Sequence, residues 1–164
     1  MAKRLYLVRH GKANHPLQGA SDFTRTLAES GENDVRRMAE KLQREDLVPD
    51  FLVSSPAVRA LSTATGFAEV WKSSLAIRIE PSIYEAEVRS LLKVINNLDN
   101  DYQSAALFGH NPGITELANY LSNVSIPNIP TAGIVIIDFP IDDWKYLTYE
   151  SGTILLFDFP KSTN

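Results

Sequence analysis

The sequence predicts an α/β protein, a single-domain three-layer sandwich in which a mostly parallel sheet carries helices on both faces. Strand-like apolar runs alternate with segments of helical periodicity over most of the chain. Such alternation is typical of parallel sheets. The last apolar runs follow one another without an intervening helix, which predicts antiparallel strands at one edge of the sheet. With 164 residues and no linker or internal repeat, we expect one domain over residues 1–164.

The predicted strands are short apolar runs bounded by polar or turn residues. They cover residues 5–8, 51–53, 76–79, 105–108, 134–139, 146–149 and 154–159. The turn-forming segment 150–152 between the last two runs predicts a hairpin there.

Four segments between the strands carry apolar residues at helical spacing. The predicted buried positions are Val35, Met38, Ala39 and Leu42; Leu61, Ala64, Ala68 and Trp71; Val88, Leu91, Leu92 and Ile95; and Ile114, Leu117, Ala118 and Leu121. Ser55 and Asn111 each precede a proline, which predicts that they cap the helices that follow.

Composition limits the functions that the chain can have. The net charge is −4, which gives no general attraction for nucleic acid or for an anionic membrane. There are no cysteines, so thiolate metal sites and cysteine nucleophiles are excluded. The first residues lack the apolar core of a signal peptide, and no apolar run is as long as a membrane span. We therefore expect a cytoplasmic protein.

Three motifs follow strand-like runs and provide similar chemistry. They are Arg9-His10-Gly11, the segment 55–64 that contains Arg59, and the segment 109–113 that contains His110. Ligands bind at the carboxyl ends of strands in open α/β sheets, so we expect these side chains to meet there. Two guanidiniums and two helix N-termini suit a phosphoryl group, and a neutral histidine is a competent phosphoryl acceptor.

In the order and spacing of these motifs, the sequence resembles the histidine phosphatase superfamily, also called phosphoglycerate mutase-like. The short length and the segment Gly109-His110-Asn111-Pro112-Gly113 look most like the SixA-type phosphohistidine phosphatases. The resemblance implies that His10 is a transiently phosphorylated nucleophile. It also implies that Arg9, Arg59 and His110 bind and polarise the phosphoryl group.

Members of that superfamily often place a carboxylic acid after the third strand to protonate the leaving group. Glu85 is the best positional candidate here, and Glu87 is the second. SixA-type members need not keep this acid, since an imidazole leaves more readily than an alkoxide. Arginines beside the histidines disfavour a cation, so we expect no metal and no cofactor.

The expected function is that of a metal-independent phosphatase acting on phosphohistidine in a protein, such as a phosphotransfer domain. The segment between Glu85 and His110 is too short for a lid over the site, which favours a protein substrate. One alternative is a small-molecule phosphomonoesterase of the same superfamily. A second is a non-catalytic module that binds phosphate or a phosphopeptide. The oligomeric state is left open.

Overall fold

The computed structural model describes residues 2–72 and 76–161, and within them six strands form one sheet flanked by four α-helices. The strands are β1 (Lys3–Arg9), β2 (Phe51–Ser54), β3 (Ile77–Ile79), β4 (Ser104–Gly109), β5 (Ile134–Phe139) and β6 (Thr153–Asp158). The helices are α1 (Glu29–Arg44), α2 (Val58–Trp71), α3 (Val88–Asn96) and α4 (Gly113–Ser122). None of these helices is both long and apolar enough to cross a membrane.

The sheet has the strand order β3-β2-β4-β1-β5-β6. Its first four strands run parallel, and β5 and β6 continue it in the antiparallel sense. The predicted fold class, with a mostly parallel sheet and an antiparallel edge, is therefore confirmed.

Both faces of β1 are buried, as expected for a strand that is covered by helices on each side. Leu5 and Leu7 point to one apolar cluster, which also contains residues of α3 and α4. Tyr6 and Val8 point to a second cluster, which contains residues of α1 and α2. This arrangement confirms the three-layer architecture.

The predicted strand over residues 146–149 is wrong. Trp144–Tyr146 form a short 3-10 turn, and β6 pairs with β5. Trp144 and Leu147 are both buried, three residues apart, which is the spacing of a helical turn. The side-chain amide of Asn96 donates hydrogen bonds to the carbonyl oxygens of both residues at 2.9 and 3.0 Å, so these carbonyls are satisfied without a sheet partner.

The register between β1 and β4 decides where the sequence motifs meet. Arg9 pairs with Gly109, so His10 and His110 each follow the last paired residue of neighbouring parallel strands. Ser54 pairs with Phe108 on the other side of β4, which brings Ser55 to the same edge. Three motifs that are far apart in the sequence thus reach one end of the sheet.

Candidate active site

The rings of His10 and His110 lie side by side at the carboxyl edge of the sheet. Their centroids are 5.4 Å apart and their planes are inclined by 54°. Both residues are more than nine-tenths buried. The structure therefore brings together the two histidines that the sequence analysis assigned to one site.

The hydrogen bonding of His10 defines which of its ring nitrogens is free. Nδ1 lies 2.7 Å from the carbonyl oxygen of Gly11. A carbonyl oxygen only accepts, so Nδ1 carries the hydrogen and Nε2 of the neutral ring keeps a lone pair. Burial, followed by the charges of Arg59 and Arg9, outweighs this hydrogen bond and lowers the pKa of His10 to about 4. His10 is therefore neutral near pH 7, with Nε2 available as a nucleophile.

His110 is also neutral near pH 7. Burial, followed by the charge of Arg59, lowers its pKa to about 3. Its Nε2 lies 2.8 Å from the hydroxyl oxygen of Ser55, and its buried Nδ1 has no hydrogen-bond partner within the described residues. With this pKa, His110 does not carry a positive charge in the ligand-free protein at neutral pH.

Hydrogen bonds from the terminal Nη nitrogens hold Arg9 and Arg59 in place. Nη1 of Arg9 donates to the carbonyl oxygen of Ile129 at 3.0 Å. Nη1 and Nη2 of Arg59 donate to the main-chain and side-chain oxygens of Asp22, each at 2.9 Å. The Nε atoms of both arginines are buried, and neither has a partner within the described residues. Each guanidinium is thus fixed in place with one buried donor still unused.

Asp22 is the centre of a hydrogen-bond network that the sequence analysis missed. Besides Arg59, its carboxylate accepts hydrogen bonds from the Tyr84 hydroxyl at 2.9 Å and from Arg25 at 3.2 Å. Partial burial tends to raise the pKa of Asp22, but the hydrogen bonds from Tyr84 and Arg25 and the nearby charge of Arg59 outweigh it and hold the pKa below its usual value. The loop before α1 is thereby tied to α2 and to the segment after β3. Asp22 lies in a polar loop without periodicity, so no sequence pattern marked it.

The two candidate acids lie at the rim of the site. Glu85 and Glu87 are exposed, and both line a cavity of about 170 Å³ together with His110, Pro112 and Glu116. Glu85 has a φ of +53°, in the left-handed region that a residue with a side chain rarely adopts. Glu85 is therefore near His110, while its side chain faces solvent.

Neither Ser55 nor Asn111 caps a helix through its side chain, so these two predictions are wrong. The helix α2 begins at Val58 with Ala57 as its N-cap, and α4 begins after Pro112. Asn111 instead donates to the carbonyl oxygen of Ile129 at 3.0 Å, the same oxygen that holds Arg9. Ser55 accepts a hydrogen bond from the backbone nitrogen of Ala57, which precedes the first residue of α2, and contacts His110 on its other side.

Comparison with known proteins identifies the family. The sequence pattern of the histidine phosphatase superfamily (branch 1) matches residues 5–91, which is more than half of the chain. The chain belongs to the histidine phosphatase superfamily. Its matching segment contains Arg9, His10, Arg59 and Glu85, while His110 lies beyond it.

Relatives of this histidine phosphatase include proteins without an assigned activity. An uncharacterized chloroplastic protein of Arabidopsis thaliana is 27% identical over 166 residues, which covers 93% of this chain and 73% of the relative. An uncharacterized protein of Mycobacterium leprae is 22% identical and is covered over its whole length, with 94% of this chain aligned.

Solved structures share the fold of this histidine phosphatase. The candidate phosphohistidine phosphatase SixA from Agrobacterium tumefaciens superposes with a TM-score of 0.84 at 24% identity, covering 96% of this chain and 98% of its own. A protein histidine phosphatase SixA in complex with tungstate gives 0.81 at 21% identity, with 95% and 96% covered. A mycobacterial glucosyl-3-phosphoglycerate phosphatase gives 0.66 at 16% identity, with 96% and 97% covered.

Proposed function

We propose that this phosphatase transfers a phosphoryl group from its substrate to Nε2 of His10 and then to water, and that the substrate is a phosphohistidine on a protein. One observation supports the transfer step. The two buried neutral imidazoles lie near two guanidiniums, and three buried nitrogens of these side chains have no hydrogen-bond partner within the described residues. They are Nε of Arg9, Nε of Arg59 and Nδ1 of His110. Buried donors normally have a partner, and a phosphoryl group supplies several acceptor oxygens.

In the first step, the lone pair on Nε2 of His10 attacks phosphorus while the bond from phosphorus to the leaving group breaks. The hydrogen bond from Nδ1 to the Gly11 carbonyl fixes the attacking tautomer and supports the positive charge that develops on the ring. In the second step, a water oxygen attacks phosphorus, the bond to Nε2 breaks, and the water loses a proton. The products are inorganic phosphate and the original neutral His10.

The arginines supply the positive charge that the transfer needs. Charge builds up on the equatorial oxygens of a phosphoryl group in transit, and preorganised donors stabilise it. Arg9 and Arg59 are already anchored by Ile129 and Asp22, so they need little rearrangement to bind these oxygens. The chain carries a net charge of −4, so attraction for phosphate depends on this local cluster.

The position of the candidate acid favours a protein phosphohistidine over a small phosphate ester. The acid candidate Glu85 is exposed, whereas protonation of an alkoxide leaving group requires a positioned acid. An imidazole leaving group has a pKa of about 6.5 and takes its proton from water, so it does not need Glu85.

A small-molecule phosphomonoesterase is the second candidate, because Glu85 and His110 line the same cavity. The two candidates predict different effects of Glu85→Gln. An alkyl phosphatase loses most of its turnover, whereas hydrolysis of protein phosphohistidine falls by less than a few-fold. Glu116→Gln is a matched control, since Glu116 is an exposed glutamate at the same cavity.

The deciding experiment compares turnover of a phosphohistidine-bearing phosphotransfer domain with turnover of alkyl phosphate esters, with and without chelator. Acid-labile phosphate on His10 is measured after a rapid quench of the same reactions. We expect a clear preference for the phosphoprotein, an adduct that His10→Gln abolishes, and no effect of chelator. Turnover of esters alone supports the second candidate. Binding of phosphate without any adduct or turnover would support a non-catalytic module.

A further inference from the structure

Ser55 is a buried polar residue at the site, and the proposed chemistry does not yet use it. It is fully buried, and its side chain does not cap α2. Within the described residues, the hydroxyl oxygen contacts two polar atoms: the backbone nitrogen of Ala57 at 3.2 Å and Nε2 of His110 at 2.8 Å. The first contact has a fixed direction, because an amide N–H only donates.

The second contact has two possible directions, and a count of hydrogens separates them. If Nε2 of His110 carried the hydrogen, Ser55 would accept twice, and its own hydroxyl hydrogen would have no acceptor within the described residues. If Ser55 donates to Nε2, its hydrogen is used and its oxygen still accepts from Ala57. In that case the ring hydrogen lies on Nδ1, where an oxygen of a bound phosphoryl group would accept it. With the anion bound, every one of these hydrogens has a partner, so donation from Ser55 is favoured.

We propose that Ser55 is a positioning residue that holds His110 in its Nδ1–H tautomer, so that the neutral ring donates a hydrogen bond to the transferred phosphoryl group. With Nε2 accepting from Ser55, the single hydrogen of the neutral ring must lie on Nδ1. Among the described residues, this Nδ1 is buried without a hydrogen-bond partner, as are Nε of Arg9 and Nε of Arg59. The opposite tautomer would present a lone pair to the phosphoryl oxygens and repel them.

This inference rests on the proposed function, because it assigns Nδ1 of His110 to the phosphoryl group. It gives the site a donor that does not depend on protonation of the ring. The neutral His110 then assists transfer without adding a third positive charge beside Arg9 and Arg59.

The direct test is the tautomer of His110 in the wild-type protein with tungstate bound in place of the phosphoryl group. Histidine labelled with ¹⁵N, observed by long-range proton–nitrogen correlation at neutral pH, distinguishes a protonated from an unprotonated ring nitrogen. His110→Gln assigns the signals. We expect the hydrogen on Nδ1 of His110, and finding it on Nε2 would overturn the inference without any variant having to fold.

A second test measures the affinity for tungstate by calorimetry, with tungstate as the phosphoryl probe. Ser55→Ala should bind tungstate about tenfold more weakly and should show a mixture of His110 tautomers, since one oriented donor is lost. Ser54→Ala is the matched control. Ser54 is a fully buried neighbour whose hydroxyl donates to the Ser55 carbonyl oxygen and, within the described residues, has no hydrogen bond to His110.

The outcomes distinguish this inference from the proposed function. If the wild-type protein does not bind tungstate, the oxyanion site itself is wrong. If it binds tungstate but Ser55→Ala keeps both the affinity and the Nδ1–H tautomer, Ser55 has no positioning role. If Ser54→Ala weakens tungstate binding as much as Ser55→Ala does, the effect is one of packing, and the inference is again refuted.

Discussion

Acidification from about pH 7.5 to about pH 5 is expected to destabilise the fold through His10 and His110. An unfolded histidine has a pKa of about 6.5, whereas the native pKa values are about 4 for His10 and about 3 for His110. As the pH falls below 6.5, the unfolded state binds protons at these sites and the native state does not. The free energy of unfolding therefore falls with pH in this range.

The size of the effect follows from the same pKa values. At pH 5 each unfolded histidine is almost fully protonated, while each native ring is still mostly neutral. Linkage then gives a loss of about 2 kcal/mol for each histidine relative to pH 7.5. The figure depends little on the native pKa as long as it lies well below 5. Two such losses are a large part of the stability of a typical domain, which is about 5–15 kcal/mol.

Urea unfolding in phosphate-free buffer at the two pH values measures this loss. His10→Gln and His110→Gln should each lose about 2 kcal/mol less than the wild-type protein on acidification, because each removes one site of differential proton binding. The change in the free energy of unfolding between the two pH values is taken within each variant, so the packing cost of the substitution cancels. His15→Gln, at an exposed position, controls for removal of an imidazole. If the wild-type protein and His10→Gln lose equal stability, then His10 is not held neutral by burial, and the reasoning fails.

Three further predictions concern other contacts. Gly31→Ala should lower the melting temperature by several degrees, because the Cβ of an alanine here would clash with the Lys12 carbonyl oxygen. An unchanged melting temperature would contradict this close approach. Asp22→Asn should bind tungstate several-fold more tightly in calorimetry, because it removes a negative charge beside Arg59. Weaker binding would contradict this and would show that Asp22 mainly orients Arg59. Lys3→Met should lower the free energy of unfolding, measured in urea, by about 2 kcal/mol. The buried ammonium of Lys3 donates to two carbonyl oxygens at 2.8 Å, and both would lose their donor. An unchanged free energy would mean that water replaces the ammonium.

The fold could be predicted from the sequence where burial imposes a clear period. Val35, Met38, Ala39 and Leu42 recur at helical spacing because one face of α1 packs on the sheet, and all four are buried in the structure. The predicted strand over residues 146–149 is wrong because Tyr146, Thr148 and Tyr149 have high strand propensity without forming a strand. There, tertiary hydrogen bonds from Asn96 decided the local structure, and a local pattern does not contain them.

The site shows the same division. The placement of Arg9, His10, Arg59 and His110 at one edge of the sheet could be predicted, because each lies next to a strand end or a helix start. Asp22 and Ser55 could not be assigned, because their contacts depend on the register of β2 against β4 and on the path of the loop before α1. Ser55 in particular fits the statistics of a helix cap, and only the distance of 2.8 Å to His110 reveals another partner.

The stability lost on acidification and the proposed nucleophile have one physical cause. A histidine exposed to water has a pKa of about 6.5 and is partly protonated near neutral pH, and a protonated ring has no lone pair for attack. Burial beside Arg59 removes that proton from His10 and leaves the positive charge on guanidiniums, which do not titrate and which suit phosphoryl oxygens. A substitution that exposes His10 to solvent should therefore reduce the stability that is lost between pH 7.5 and pH 5. If the proposed chemistry is correct, it should also slow the formation of the phosphohistidine adduct below pH 6.5. Measuring both quantities on one variant tests whether they are coupled.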